Sequence, residues 1–437
     1  MSIDVVAALQ AAVRAPTVSD RDESLIDEQA FVRLHAVLRE HFPLLHEHLE
    51  LIRVPEHGLL FCWRGASSER PVVLMAHQDV VPVTGQDWSR DPFSGEVVDG
   101  VIHGRGTLDD KGSLIGICAA VEALLAEEFV PAHDVWLSFG SDEEISGRAA
   151  QGAVAELRSR GVRPWFVIDE GGAIAYDAFP GVKTPVGVIG VAEKGTTSVE
   201  LRVTGDGGHS STPRRNAPTV RLARALTRLD RVRMPVSMPA PTVEMFGRLA
   251  PHAPAPLRPL MANAARLAPA LTRALVRLGP EPAALARTTV AITTLQGSPA
   301  LNVIATVATA GVNLRVMVGE TVAEVVERLR EAIADDSVEI RVVEDGPPSP
   351  VSPRDEAFHH IETVIDEVFP EAVAAPYIML AATDSRHFYE ICDRVYRFAP
   401  FRMTAEQRAS IHAADEHLGV DDLLDGVRFY RRLIEEL

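Results

Sequence analysis

Three apolar runs early in the chain end in the same kind of residue. "VVLMA" runs into His77 and Asp79, "VWLSFGS" into Asp142, Glu143 and Glu144, and "WFVI" into Asp169 and Glu170. Between and around them lie stretches of helical length and composition, such as "GSLIGICAAVEALLAEE" and "RAAQGAVAELRSRG". Short apolar runs that alternate with helices predict a mostly parallel, doubly wound α/β sheet with helices on both faces. In such a sheet the ligand crevice lies beyond the carboxyl ends of the strands, so acids distant in sequence are expected to meet at one edge.

The pattern begins with helices. Ile3, Val6, Leu9 and Val13 recur at helical spacing, and "FVRLHAVLREHF" does the same before "GLLFCWRG" and "PVVLMAHQD" read as strands. Near Ala192 it changes, because "TTSVELRVTG" alternates apolar and polar residues as a half-solvated antiparallel strand does. A helix "NAPTVRLARALTRLD", the strands "TTVAITTLQG" and "ATVATAGVNLRVMV", and a helix "TVAEVVERLREAIA" complete a small α+β layer. The Pro/Ala/Leu/Arg-rich stretch 235–287 carries enough Leu and Ala to be a helical insert. After the turn-rich "DGPPSPVSPRD" the chain resumes helix and strand. The expected organisation is one domain from 1–191 and 346–437, with a smaller two-layer α+β domain inserted at 192–345. At 437 residues the chain is long enough for two cores.

Charge narrows the partners. With 43 basic and 61 acidic residues the net charge is −18, which argues against nucleic acid or an anionic membrane and leaves small substrates open. "MSIDVVAALQAAVRAP" has neither the basic head nor the long apolar run of a signal peptide or membrane span, so a cytoplasmic protein is expected. Cys62, Cys118 and Cys392 are odd in number and widely spaced, which fits core residues rather than disulfides or a thiolate metal site.

The acids demand a further component. "GRGTLDDKGS" adds Asp109 and Asp110 in a Gly-rich turn before a helix, and so many carboxylates in one crevice repel one another unless cations neutralise them. Imidazole with carboxylates suits zinc, or less selectively cobalt or manganese, and two such ions close together are a recurrent device for hydrolysis. His77 would bind while Asp79, two residues on and so on the same side of a strand, orients its ring. Alone, "SDEE" fits a helix N-cap and "TLDDKG" a turn; together with His77 they fit a metal site. A phosphate loop is excluded by the missing G-x-G-x-x-G and by the acids themselves.

"AHQDVVPV", "GRGTLDDKG", "SDEEISG", "VIDEGG", "GGHSSTP", "TDSRHF" and "IHAADEHL" occur in an order that resembles the two-zinc metallopeptidase family of aminoacylase, glutamate carboxypeptidase and the yeast-type Gly-X carboxypeptidase. The resemblance implies that His77, Asp109, Glu144, Asp169 and His412 are the metal ligands, with Asp109 bridging both ions and Asp79 as the orienting acid. Glu143 would be the base, which the chemistry also allows, since adjacent side chains on extended backbone diverge. Asp110 and Glu170 would stand beside the ligands. His209, in a Gly-rich loop, is an oxyanion donor that by the resemblance reaches the site of the other subunit of a homodimer. Asn302, Arg315 and Arg386 would hold the substrate, and an arginine there predicts a free carboxylate on it.

The expected activity is hydrolysis of an amide or peptide bond in a dipeptide or N-acyl amino acid. The alternative is a peptidase-like binding protein without turnover, whose mark would be a missing base or ligand. Ala381 and Ala382 stand where relatives usually show glycine, and Ala413 and Ala414 where Gly and Asn are common, so altered specificity is expected in the substrate-facing loops.

Overall fold

A computed structural model describes residues 4–179 and 181–437. The three acid-terminated runs form adjacent parallel strands. Ser67–His77 lies between His133–Gly140 and Phe166–Asp169, with His77 opposite Gly140 and Leu74 opposite Ile168. Among the described residues the full sheet has ten strands. From one edge they run Glu50–Arg53, Leu59–Trp63, His133–Gly140, Ser67–His77, Phe166–Asp169, Val395–Arg397, Val186–Glu193, Ala173–Ala175 and Arg402–Met403, and Val373–Met379 also pairs with Val186–Glu193. Its centre is parallel; Leu59–Trp63 and Glu50–Arg53 add antiparallel strands at one edge.

Helices cover this sheet because its central strands are apolar on both faces. Helix Lys111–Ala126 is buried almost all round, placing Leu114, Ile117, Val121 and Leu124 in the core, and it packs against Val5–Val13 and Val420–Glu435. Ile3, assigned by spacing to the first helix, lies outside the described residues. On the other face Ala149–Ser159 contributes Ala153, Val154 and Leu157 to a core with Trp136 and Met75. Each fully buried large apolar side chain is worth about 1.5–3 kcal/mol. An exposed ion pair such as Arg158–Glu390 is worth about 0–1 kcal/mol, so packing rather than surface charge fixes the sheet edge. Cys62, Cys118 and Cys392 are free and buried.

The inserted segment forms a second sheet in the order Thr289–Gln296, Val307–Val316, Gly195–Thr204, Glu339–Glu344, antiparallel throughout. Gly195–Thr204 alternates buried and less buried residues, and helices Pro218–Leu229 and Val322–Ile333 cover its apolar face through Leu222, Leu229, Val325 and Leu329. The two chain crossings between the sheets touch. A Cβ on Gly195 would lie 2.5 Å from Gly346 O, so neither crossing strand tolerates a side chain there.

The 235–287 stretch is helical, with helices Ala240–Leu249, Arg258–Ala262, Ala264–Leu278 and Pro280–Ala284. Its packing differs from its sequence position. Met245, Phe246 and Leu249 join Val182, Val186 and Ala375 in one core, so this insert covers the large sheet rather than the four-stranded one. Its end is tied to the crossing by Lys194, whose Nζ donates to Ala284 O and Arg287 O at 3.1 and 2.8 Å. Among the described residues no helix is long and apolar enough to cross a membrane.

Candidate metal centre

His77 ends its strand at the sheet edge, 2 % exposed. Its Nδ1 faces Asp79 O at 3.0 Å and Asp79 Oδ1 at 3.4 Å, and its Nε2 faces Asp109 Oδ1 at 2.8 Å. Asp79 is wholly buried and does more than orient this ring. Its Oδ1 accepts the Glu143 N–H at 3.2 Å and its Oδ2 the Glu144 N–H at 3.1 Å, so one carboxylate ties a ligand-type histidine to the turn carrying the two glutamates.

Asp109 is delivered by the Gly-rich turn, and a residue that sequence reasoning did not single out holds that turn. Glu416, fully buried, accepts the N–H groups of Gly106, Leu108 and Asp109 on Oε1 at 3.1, 2.8 and 3.1 Å, while its Oε2 pairs with Arg105 at 2.5 Å. The signal available was an acid in "IHAADEHL", close to His412, and an arginine in "GRG" with no solvent-facing role. Opposite His77, His412 Nε2 lies 2.9 Å from Asp109 Oδ2 and 3.0 Å from Glu144 Oε2. The two carboxylate oxygens of Asp109 therefore face two different histidines.

Two overlapping triads result: His77, Asp109 and Glu170, and Asp109, Glu144 and His412, in each of which the ligand-type atoms lie within 4.8 Å of one another. The group on the His77 side includes Glu170, the neighbour of the Asp169 that the resemblance implies as a ligand. Asp169 lies beside it on the strand end, with Oδ2 accepting the Ser385 N–H at 3.0 Å. Asp142 leaves the group: its carboxylate accepts the N–H groups of Arg148 and Ala149 and starts helix Ala149–Ser159.

Charge at this edge is unbalanced. Burial pushes Glu143, Glu170 and Asp110 well above the ordinary carboxylate range, and neighbouring carboxylates push Glu143 and Glu170 further the same way. Hydrogen bonds to Asp109 and Glu144 push His412 up to about 10. Burial alone would lower His77, yet Asp109 and Asp79 hold it well above its usual value. Asp384, buried and with neither carboxylate oxygen hydrogen-bonded, is pushed up to about 8 by burial and by Asp169. Glu144 Oε1 and Asp110 Oδ1 are likewise buried without a partner. Two imidazole nitrogens and four carboxylates crowded in this way, with orphaned oxygens among them, fit a pair of divalent cations of the zinc type.

The inserted domain contributes differently. Gly208–His209 pairs antiparallel with Val303–Ile304, and Ser210 N–H donates to Asn302 O at 3.2 Å, so His209 and Asn302, distant in sequence, meet at one exposed pair of short strands. His209 Nδ1 meets Ser211 Oγ at 2.7 Å. Arg315 lies on the face of the four-stranded sheet away from its helices, with Nη1 donating to Thr196 Oγ1 at 2.6 Å. Arg386 sits in the short helix Asp384–Glu390, one residue from the Ser385 N–H that holds Asp169. Among the described residues no hydrogen bond or ion pair joins His209 or Asn302 to either triad.

Strand ends that gather two His/carboxylate triads around a shared aspartate, with a further glutamate beside them, define a metal-dependent hydrolase. Residues 73–436 match Peptidase family M20/M25/M40, and the chain belongs to that family. It is 36% identical to human N-fatty-acyl-amino acid synthase/hydrolase PM20D1 over 98% of this chain and 86% of that protein. It is 33% identical to the probable carboxypeptidase S-like 2 of Dictyostelium discoideum, over 99% and 85% of the two chains. In fold it resembles the M20 family metallo-carboxypeptidase Sso-CP2 from Sulfolobus solfataricus, with a TM-score of 0.71 and 18% identity over 99% of this chain and 98% of that one.

Proposed function

We propose that the protein is a dizinc amidohydrolase that cleaves the amide bond of an N-acyl amino acid or dipeptide with a free carboxylate, N-acyl amino acids being the favoured group. One observation carries the reading: Asp109 presents one carboxylate oxygen to His77 and the other to His412, at 2.8 and 2.9 Å, as a residue shared by two ions must. The human relative is named for N-fatty-acyl amino acids, which supports the acyl preference, while the Dictyostelium relative is named a carboxypeptidase. His77, Asp109 and Glu170 would hold one ion, and Asp109, Glu144 and His412 the other. Zinc suits these donors, with cobalt and manganese as substitutes.

Bound at the two triads, the ions would supply a water of lowered pKa and a polarised scissile carbonyl. Glu143 takes a proton from that water as its oxygen bonds to the amide carbon, then passes it to the amide nitrogen as the C–N bond breaks, and the remaining water proton moves from the new carboxylic acid to the amine, giving a carboxylate and an ammonium group. Asp79 keeps Glu143 in place through its backbone N–H and keeps His77 in a fixed tautomer. His209 donates to the oxyanion, and Asn302, Arg315 and Arg386 bind the substrate, an arginine fork pairing with its carboxylate. An exposed strand pair that makes no hydrogen bond or ion pair to either triad among the described residues supports a homodimer in which His209 serves the second copy. Three buried free thiols support a reducing, cytoplasmic setting.

The experiment is a panel of N-acyl amino acids and dipeptides assayed with zinc-loaded and chelated protein. Zinc-dependent release of a free amino acid is expected, fastest from N-acyl amino acids. Turnover that survives complete chelation would contradict the dizinc reading, and activity on dipeptides alone would replace the acyl preference.

A further inference from the structure

Ser19 is a buried side chain, 2 % exposed, that the chemistry above does not use. Its Oγ–H donates to Asp79 Oδ2 across 2.7 Å. The segment carrying it is bound to the residues that follow strand Ser67–His77. Val80 N–H donates to Thr17 O at 3.0 Å, Ser19 N–H donates to Val80 O at 3.2 Å, and the Thr17 hydroxyl donates to Gln78 O at 2.6 Å. Ser19 is therefore held by backbone on both sides of Asp79, and its hydroxyl has a fixed approach to the carboxylate.

That approach settles how Asp79 divides its two oxygens. Oδ2 receives the Ser19 hydroxyl and the Glu144 N–H, which leaves Oδ1 for the Glu143 N–H and the Nδ1 side of His77. A wholly buried carboxylate has no water to orient it, so its orientation comes from these donors alone. Of the four, only the Ser19 hydroxyl comes from outside the triad-bearing segments. Without it Oδ2 keeps a single donor at 3.1 Å, and rotation of the carboxylate would loosen His77 and the 143–144 turn together.

We infer that Ser19 is a positioning residue of the metal centre, acting through Asp79 on the ring of His77 and the backbone of Glu143 and Glu144. The inference rests on the roles proposed for His77 and Glu143. Partners that stand behind metal ligands typically contribute about 10–100-fold to metal affinity or activity. Ser19, one bond further back, falls at the lower end of that range.

The test uses the full-length chain with zinc affinity read by chelator competition, beside kcat, KM and the Tm of the metal-free protein. Ser19→Ala should weaken zinc binding by about 10-fold and lower kcat by a similar factor with KM unchanged. In an Asp79→Asn background the same substitution should change zinc affinity by less than about twofold, since the residue it acts through is already altered. Ser19→Cys, close in size and a weaker donor, should fall between wild type and alanine, and it carries the test if the alanine variant does not fold. Wild-type zinc affinity in Ser19→Ala or Ser19→Cys, or an equal loss in both backgrounds, would overturn the inference and leave the dizinc reading standing. Wild-type protein that binds no zinc would overturn both.

Discussion

The two halves of the proposed site are built in opposite ways. On the sheet edge the supporting groups His77, Asp79 and Glu416 are buried and the site is held several times over, His77 by Asp79, Asp79 by Ser19 and the 143–144 backbone, and the Asp109 turn by Glu416, with only His412 exposed. On the inserted domain His209 and Asn302 sit at an exposed pair of short strands. The pair of cations proposed here would need rigid scaffolding, because a misplaced buried carboxylate costs several kcal/mol. A group that meets the substrate only when it is bound needs mobility and reach. The halves are joined at the crossing near Gly195 and Gly346, and by an exposed pair, Arg21–Glu344 at 2.7 Å, worth at most about 1 kcal/mol.

The largest effects should come from removing one chemical group from each half. Glu143→Gln is expected to keep its metals and lose at least about 10²-fold in kcat. His209→Ala is expected to lose about 10²-fold as an oxyanion donor, with its fold intact. Mixing the two variants under subunit exchange breaks or confirms the division. If His209 serves the partner subunit, about half the dimers are mixed, each with one complete site of two, and activity recovers toward about a quarter of wild type. No recovery despite demonstrated exchange would place His209 in its own chain's site and remove the comparison's premise.

A smaller effect probes the rigid half. His35 Nε2 faces Gln78 Oε1 at 2.7 Å, while Gln78 donates to His57 O and Phe139 O, so Gln78 Oε1 is an acceptor and His35 Nε2 carries the proton. Its Nδ1 faces Arg53 Nη1 at 3.0 Å and must stay unprotonated. Burial lowers His35 to about 4, against an ordinary value of 6.5. Between those values the unfolded chain takes up a proton that the folded chain refuses, so stability is full above about pH 6.5 and falls as the pH drops toward 4. From pH 7 to pH 5 the loss from this group is about 2 kcal/mol. Denaturant unfolding of wild type and His35→Gln should show it: the variant's stability should fall less over that interval by about this amount, and equal falls would mean that the wall behind His77 tolerates charge.

What the sequence disclosed follows the same divide. Apolar runs ending in acids are a side-chain signal, so the parallel centre of the sheet and the gathering of His77, Asp109, Glu144 and His412 were legible from residue type and order. The hydrogen bond that the Asp169 carboxylate accepts from the Ser385 N–H was not, because a backbone group has no signature in sequence. Glu416 was hidden for the same reason, since three of its partners are backbone N–H groups more than three hundred residues away. Leu and Ala content revealed the helices of 235–287 but not that their apolar faces cover Val186 and Ala375 of the large sheet.

The shared role of Asp109 is tested most directly by a crystal structure of the zinc-loaded protein with anomalous data at the zinc edge. Two peaks are expected on either side of the Asp109 carboxylate, one at about 2.0–2.2 Å from donors of His77, Asp109 and Glu170 and the other at the same distances from Asp109, Glu144 and His412. A single peak, or a peak bound by Asp169 with Glu170 turned away, would contradict it.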